Sequence, residues 1–136
     1  MPSPTAVALT GFIAWTLFLL VLMEGIRSKL VLTKARAANS FTPDNASLSP
    51  FMQRLARAHA NCLEGLPIFG GLMLVALTTG RSSVTDPLAF VLLGARVVQS
   101  GIHLASLTST AVTLRFSAFA VQMGIAVFWS AMLLLG

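Results

Sequence analysis

Four polar side chains recur at helical spacing on one otherwise apolar segment of this chain. Arg54, Arg57, Asn61 and Glu64 follow an i, i+3, i+7, i+10 pattern. At roughly 100° per residue they fall within an arc of about 100° on one helix face. Guanidinium groups donate to carboxylates, a carboxylate accepts from ammonium groups, and an amide can do both. The stripe therefore has the chemistry to hold a small ligand that carries charges of both signs.

The chain around this stripe is too apolar for a soluble domain. Of its 136 residues, 56% are hydrophobic and 10% are charged, whereas roughly a quarter are charged in soluble domains. Because a helix needs ~20 mostly apolar residues to cross a bilayer, we predict one domain, residues 1–136, with an all-α fold. It is an integral membrane four-helix bundle with spans at about residues 5–27, 58–79, 87–107 and 112–135.

Capping residues indicate where the helices begin and end. Ser49 followed by Pro50 predicts the start of the second helix, and Gly80 predicts its end. Asp86 followed by Pro87 predicts the start of the third helix in the same way. A helix from residue 50 to 79 is longer than a bilayer requires, so its first turns should project from the hydrocarbon layer.

The distribution of basic residues predicts the topology. Six of the nine Lys and Arg residues lie between Arg27 and Arg57, and such clusters face the cytoplasm. The loop at about residues 28–49 should be cytoplasmic, with both termini on the opposite side of a bacterial inner membrane, or of the endoplasmic reticulum in a eukaryote. Confinement to one loop argues against nucleic-acid binding. The first apolar run has no basic residue before it, which predicts a retained helix rather than a cleaved signal.

Two interpretations of the polar stripe remain open from the residues alone. Charges at membrane depth face protein or a water-filled cavity. Glu64 can pair with Arg96 of the third helix and lock two helices together. Alternatively, the charges line a ligand site, because the arginines outnumber the single glutamate and an anionic ligand with one cationic group would complete the balance. Two histidines and one cysteine, far apart in the sequence, match no metal-ligand spacing.

The segment RAHANCLEGLPIF resembles the signature of the MAPEG family, the membrane-associated proteins in eicosanoid and glutathione metabolism. The likeness extends over the whole chain and includes four spans, a basic first loop, an arginine within the third helix and LRF at the start of the fourth. It implies a homotrimer of four-helix subunits, surrounded by membrane lipids, that binds glutathione between neighbours near the cytoplasmic side. The signature is carried by Arg57, Ala58, His59, Asn61, Glu64, Pro67 and Phe69.

The resemblance also implies a role for each charged residue. Arg57 and Asn61 would hold the carboxylate end of glutathione, and Glu64 would hold its ammonium group. Arg96 would lie against Glu64 or the ligand. Arg115 matches the family arginine that faces the thiol and is the expected catalytic residue.

Four further positions complete the expected site. Many family members carry His and Tyr on the third helix where this chain has Gln99 and His103, and the chain contains no tyrosine. Gln99 and His103 can hydrogen-bond a ligand, but no phenol is present to act on the thiol. Arg27 is a candidate second arginine at the mouth of the site. His59, about 200° from Arg57 around the helix, is expected either to contact the ligand or to face a neighbour.

The resemblance implies one of two functions. The first is a glutathione transferase or peroxidase that activates the glutathione thiolate for attack on lipophilic electrophiles dissolved in the bilayer. The alternative is a non-catalytic member of the family that binds a lipid or acts as an accessory protein in the membrane.

Overall fold

The described chain consists mostly of helices. A computed structural model describes residues 2–136 and contains no strand among them. Its elements are α1 (Pro4–Leu32), α2 (Pro50–Gly65), a π-helical turn (Leu66–Gly70), α3 (Gly71–Thr78), α4 (Ser82–Ala105) and α5 (Ser109–Leu135). Because α2, the π turn and α3 form one continuous rod, four segments are long and apolar enough to cross a membrane. The predicted all-α fold with four spans is confirmed, and the chain is an integral membrane protein.

The first helix is longer than predicted. It begins after Ser3, whose hydroxyl accepts from Ala6 N at 3.2 Å, and it ends at Leu32 instead of residue 27. The reason is that residues 28–32 contain neither Gly nor Pro, so nothing stops the helix after Arg27. The connecting loop is correspondingly shorter, covering residues 33–49 in place of 28–49.

The rod from Pro50 to Thr78 has the predicted ends and an unpredicted interruption. Ser49 Oγ accepts from Met52 N at 3.3 Å, and Gly80 adopts a φ of 71° after the last turn. Within the rod, the π turn contains Pro67, which has no N–H to donate to the preceding turn. A wider turn of this kind accommodates the missing hydrogen bond and often lies beside a functional site.

The predicted start of the third spanning helix at Asp86 and Pro87 is wrong. This helix, α4, begins at Ser82 and contains Pro87 in its second turn. Asp86 caps a different helix, because its Oδ1 accepts from Thr5 N at 3.0 Å and from Thr5 Oγ1 at 2.6 Å. A carboxylate at the N-terminus of α1 also interacts favourably with the helix dipole.

The last helix also begins earlier than predicted. Thr108 is its N-cap and accepts from Ala111 N at 3.2 Å, so α5 starts at Ser109 rather than at residue 112. Only residues 106–108 separate it from α4, which ends at Ala105, two residues before the predicted end. Helices joined by so short a turn are antiparallel neighbours, and this brings the last turn of α4 beside the first turns of α5.

The bundle is organised around α4, which packs against each of the other three spanning segments. One buried apolar cluster lies between all four spans and includes Phe12, Phe69, Leu92 and Trp129. A second cluster joins α1 to α2 near the loop and includes Leu19, Leu55 and Cys62. The second half of α4 also buries polar side chains, and two of them, Arg96 and Gln99, bond Asn61 of the polar stripe on α2.

Candidate functional site

A shallow cavity gathers five of the predicted site residues. It has a volume of ≈ 250 Å³ and is formed by α2, the last turn of α4 and the second turn of α5. The spacing along α2 directs three of its polar residues to this cavity, and the short turn between α4 and α5 adds one residue from each. Its lining consists of Arg57, Ala60, Asn61, Glu64, His103 and Arg115.

The charged groups of this cavity have no partners within the described chain. Among residues 2–136, the one ion pair joins Arg27 to Glu24 at 2.9 Å. Arg57, Glu64 and Arg115 therefore form no ion pair within these residues. Nε of Arg115 is buried with no hydrogen-bond acceptor. The cavity therefore presents two cations and one anion that remain free to bind a ligand of mixed charge.

His103 adds a largely enclosed imidazole to the same cavity. It is 6% exposed, and its Nε2 is buried without a hydrogen-bond partner. A buried polar atom without a protein partner is uncommon, and this one lies at the cavity, where it can hydrogen-bond a ligand.

Arg96 does not pair with Glu64. The guanidinium is fully enclosed and Nη1 donates to Oδ1 of Asn61 at 2.6 Å. The structure therefore does not contain the ion pair proposed as the purely structural interpretation of the stripe. Three aromatic rings surround the cation, with Cζ at 5.3 Å from the centroid of Phe12, 5.6 Å from Phe69 and 5.9 Å from Phe119, within the ~6 Å range of cation–π attraction.

Gln99 joins the same hydrogen-bond network and lies beneath the cavity lining. Its Nε2 donates to Asn61 Oδ1 at 3.1 Å, and its Oε1 accepts from Gln122 Nε2 at 2.8 Å. Sequence reasoning missed Gln122, which is fully buried in α5. The signal that identifies it is a glutamine in a long uncharged span, where a buried amide requires a polar partner.

Arg27 and His59 lie elsewhere in the chain. Nε of Arg27 donates to Oδ1 of Asn45 at 2.9 Å, and Arg27 lines a separate cavity of ≈ 610 Å³ together with Glu24 and Phe41. His59 lies on the side of α2 that faces this pair, within electrostatic range of Glu24 and Arg27. Neither residue lines the cavity of Arg57 and Arg115 within one chain.

Arg54, the first residue of the polar stripe, connects two helices. Its Nε donates to the backbone carbonyl of Leu104 at 2.8 Å. Carbonyl groups in the last turn of a helix have no intrahelical donor, so this guanidinium satisfies one of them at the end of α4. Arg54 therefore holds α2 against α4, beside the cavity.

Comparison with known proteins identifies one family. The model of the MAPEG family matches residues 5–135, which is nearly the whole chain and includes every residue of the cavity. No match was found among curated proteins or among solved structures.

Proposed function

This chain belongs to the MAPEG family, and from that premise we propose that it binds glutathione in the cavity of Arg57, Asn61, Glu64, His103 and Arg115. We propose further that it activates the thiol of glutathione for attack on lipophilic electrophiles. The observation that carries the proposal is the presence of two unpaired guanidinium groups and one unpaired carboxylate around one cavity.

The charges of glutathione match those of the cavity. Glutathione has two carboxylates, one ammonium group and one thiol. Arg57 and the amide of Asn61 are suited to hold a carboxylate, since both present N–H donors. Glu64 is suited to accept from the ammonium group. With these groups engaged, Arg115 is the cation left for the thiol.

Arg115 supplies the chemistry that a thiol requires. A free thiol has a pKa of about 8.5, and the thiolate is the nucleophile. A guanidinium stays protonated in a protein, so it stabilises a nearby thiolate without giving up its own proton. Lowering the thiol pKa by two units takes roughly 2.7 kcal/mol of preferential stabilisation.

The exposure of the cavity supports a homotrimer. Glu64 is exposed on the surface of a single chain although it lies within a membrane-spanning rod, and a charge at that depth faces protein or water rather than lipid. The cavity volume of ≈ 250 Å³ is below the roughly 300–1,000 Å³ of most ligand pockets. A neighbouring subunit that covers this face would enclose the charges and enlarge the site.

One feature of the sequence favours a second candidate function. The chain has no tyrosine among its 136 residues, so no phenol can assist Arg115 at the thiol. A member of the family that binds glutathione or a lipid without catalysis would tolerate this absence. His103 and Arg115 would then serve binding alone.

Turnover of a generic electrophile distinguishes the two functions. Purified protein in detergent or lipid nanodiscs should conjugate glutathione to chlorodinitrobenzene at a rate above that of empty nanodiscs. Asp44→Asn, a change outside the cavity, is the control variant. Glutathione binding without turnover would favour the non-catalytic function, and the absence of binding would contradict both the ligand and the site.

A further inference from the structure

A chain of hydrogen-bonded side chains lies beneath the cavity, and its donors converge on the side-chain oxygen of Asn61. It begins at Arg96, passes through Asn61 and Gln99, and ends at Gln122. The donor–acceptor distances are 2.6 Å from Arg96 Nη1 to Asn61 Oδ1, 3.1 Å from Gln99 Nε2 to the same oxygen, and 2.8 Å from Gln122 Nε2 to Gln99 Oε1. Gln122 Nε2 also donates to the backbone carbonyl of Ala118 at 3.1 Å.

At one end of this hydrogen-bond network lies a group that can only donate, and at the other end lies a group that can only accept. A guanidinium can only donate and a backbone carbonyl can only accept, so Arg96 and the carbonyl of Ala118 fix the amides between them. If the Gln99 amide were rotated by half a turn, its oxygen would face the side-chain oxygen of Asn61. Its NH₂ would then face the NH₂ of Gln122. Rotating Gln122 as well would leave the oxygens of Gln99 and Asn61 opposed and would also place the Gln122 oxygen against the carbonyl of Ala118. The orientations of the amides therefore follow from the chemistry of the two ends.

The fixed orientations of the amides determine which group of Asn61 faces a ligand. Its oxygen is occupied by two donors, whereas its Nδ2 forms no hydrogen bond within residues 2–136, and the residue lines the cavity. We propose that Arg96, Gln99 and Gln122 are positioning residues that hold the Asn61 amide with its NH₂ toward the ligand. The site then selects a hydrogen-bond acceptor, such as a carboxylate, and rejects a donor at this position. This inference rests on the proposed function for the identity of the ligand.

Burial makes the arrangement effective. Arg96 and Gln122 are completely enclosed and Gln99 is 6% exposed, so water cannot separate the like groups that a turned amide would bring together. The chain also joins three spans, since Asn61 lies in α2, Gln99 in α4 and Gln122 in α5. Gln122 contributes to the site without lining it.

Asn61→Asp tests the orientation. The substitution preserves the shape and an oxygen for Arg96, but it replaces the NH₂ with a second oxygen that repels a carboxylate. We expect glutathione to bind at least about tenfold more weakly, the value for loss of a hydrogen bond to a charged group, while the thermal midpoint is unchanged or higher. An Asn61→Asp variant that binds glutathione as tightly as the parent would overturn the proposal.

Gln122→Met tests the positioning role, with Gln53→Met as the matched control. Gln53 lies at the start of α2 and bonds only backbone carbonyls of the loop. We expect Gln122→Met to raise KM for glutathione by roughly three- to tenfold, with kcat and the KM for the electrophile within twofold of the parent. A lower thermal midpoint with an unchanged KM for glutathione would show a structural role only and would refute positioning.

A spectroscopic measurement separates this inference from the proposed function. The chain has three asparagines, so ¹⁵N-asparagine labelling gives three side-chain NH₂ signals, and Asn61→Asp assigns one of them. Gln122→Met should shift or broaden the Asn61 signal in the absence of any ligand, and Gln53→Met should not. If the parent fails to bind glutathione while Gln122→Met still moves this signal, the positioning holds and the proposed ligand is wrong. An Asn61 signal that is insensitive to Gln122→Met would overturn the positioning.

Discussion

The Arg96 guanidinium bonds the side-chain carbonyl of Asn61 at 2.6 Å, although Glu64 lies only one turn further along the same rod. This divides the polar stripe into two parts. Asn61 faces inward with its oxygen and connects α2 to α4, whereas Glu64 is exposed and forms no ion pair within the described residues 2–136. The carboxylate is therefore free to serve a ligand, and the charge of the buried arginine is met by an amide oxygen and aromatic rings.

Glu64→Gln should separate binding from stability. Because Glu64 pairs with no residue of the described chain, its neutralisation should leave the thermal midpoint nearly unchanged. Glutathione affinity should fall by roughly tenfold as its ammonium group loses a counter-charge, measured by isothermal titration calorimetry. Asp44→Asn, outside the cavity, should change neither quantity. A lower midpoint with unchanged affinity would instead mean that Glu64 supports the fold.

Arg115→Ala should abolish thiolate formation with little effect on binding. The bound thiolate absorbs in the ultraviolet, and this absorbance should disappear because the stabilising charge is gone, while glutathione affinity stays within a few fold. Arg115→Lys should restore part of the absorbance, since it keeps a positive charge. Arg57→Ala should show the opposite pattern and lose affinity first. Full absorbance and turnover in Arg115→Ala would exclude Arg115 from this role.

Gly65→Ala should destabilise the bundle. A Cβ at this position would lie 2.8 Å from Nη2 of Arg96 and 3.1 Å from Cε2 of Phe69, so two buried groups would have to move. Overpacking of this kind costs about 1–3 kcal/mol, which a thermal or denaturant unfolding curve in detergent would detect. Gly94→Ala is the matched control, because a Cβ there meets no atom within 4 Å. Equal stability of the two variants would contradict the close packing at Gly65.

Single cysteines should report the orientation of the chain. In a Cys62→Ala background, Ser40→Cys lies in the loop and Ser83→Cys at the start of α4, and both parent serines are exposed. Since one spanning rod separates them, an impermeant maleimide should label them from opposite sides of the membrane. The basic cluster predicts that Ser40→Cys reacts from the cytoplasmic side. Labelling of both from one side would disprove the four-span topology.

Cross-linking should yield a limiting species of three subunits. An exposed charge at membrane depth, such as Glu64, should face protein or a water-filled cavity rather than lipid, and the family resemblance implies a trimer. Purified protein in mild detergent, treated with an increasing amount of a short amine-reactive reagent, should stop at trimer on denaturing gels. A monodisperse monomer that still binds glutathione would contradict this assembly.

The predictable part of the structure is the part that local chemistry determines. Four apolar runs predicted four spans, and Ser49, Pro50 and Gly80 correctly placed the ends of the second. The start of α4 was missed because Asp86 caps α1, which is distant in sequence, and such a tertiary contact leaves no local signal. The π turn was missed although Pro67 within a helix was visible.

The candidate site shows the same limit. Helical spacing brought Arg57, Asn61 and Glu64 together, since it depends on one helix alone. That Arg96 points into the bundle, and that Gln122 meets Gln99, depends on how three spans pack against one another. From the residues alone, pairing of Arg96 with Glu64 was one of two open interpretations, and the structure gives Arg96 a neutral partner, Asn61.

The enclosure of Arg96 has a consequence for how this protein enters the membrane. An arginine at the centre of a lone spanning helix disfavours insertion by about 2.5–3.5 kcal/mol on the translocon scale. The rings that surround Arg96 come from α1, the π turn and α5. The helix α4 alone therefore supplies none of the aromatic groups that shield its arginine. Phe12 and Phe69 precede α4 along the chain, but Phe119 is synthesised after it. The shielding of Arg96 is therefore complete only after the fourth span has packed against the third.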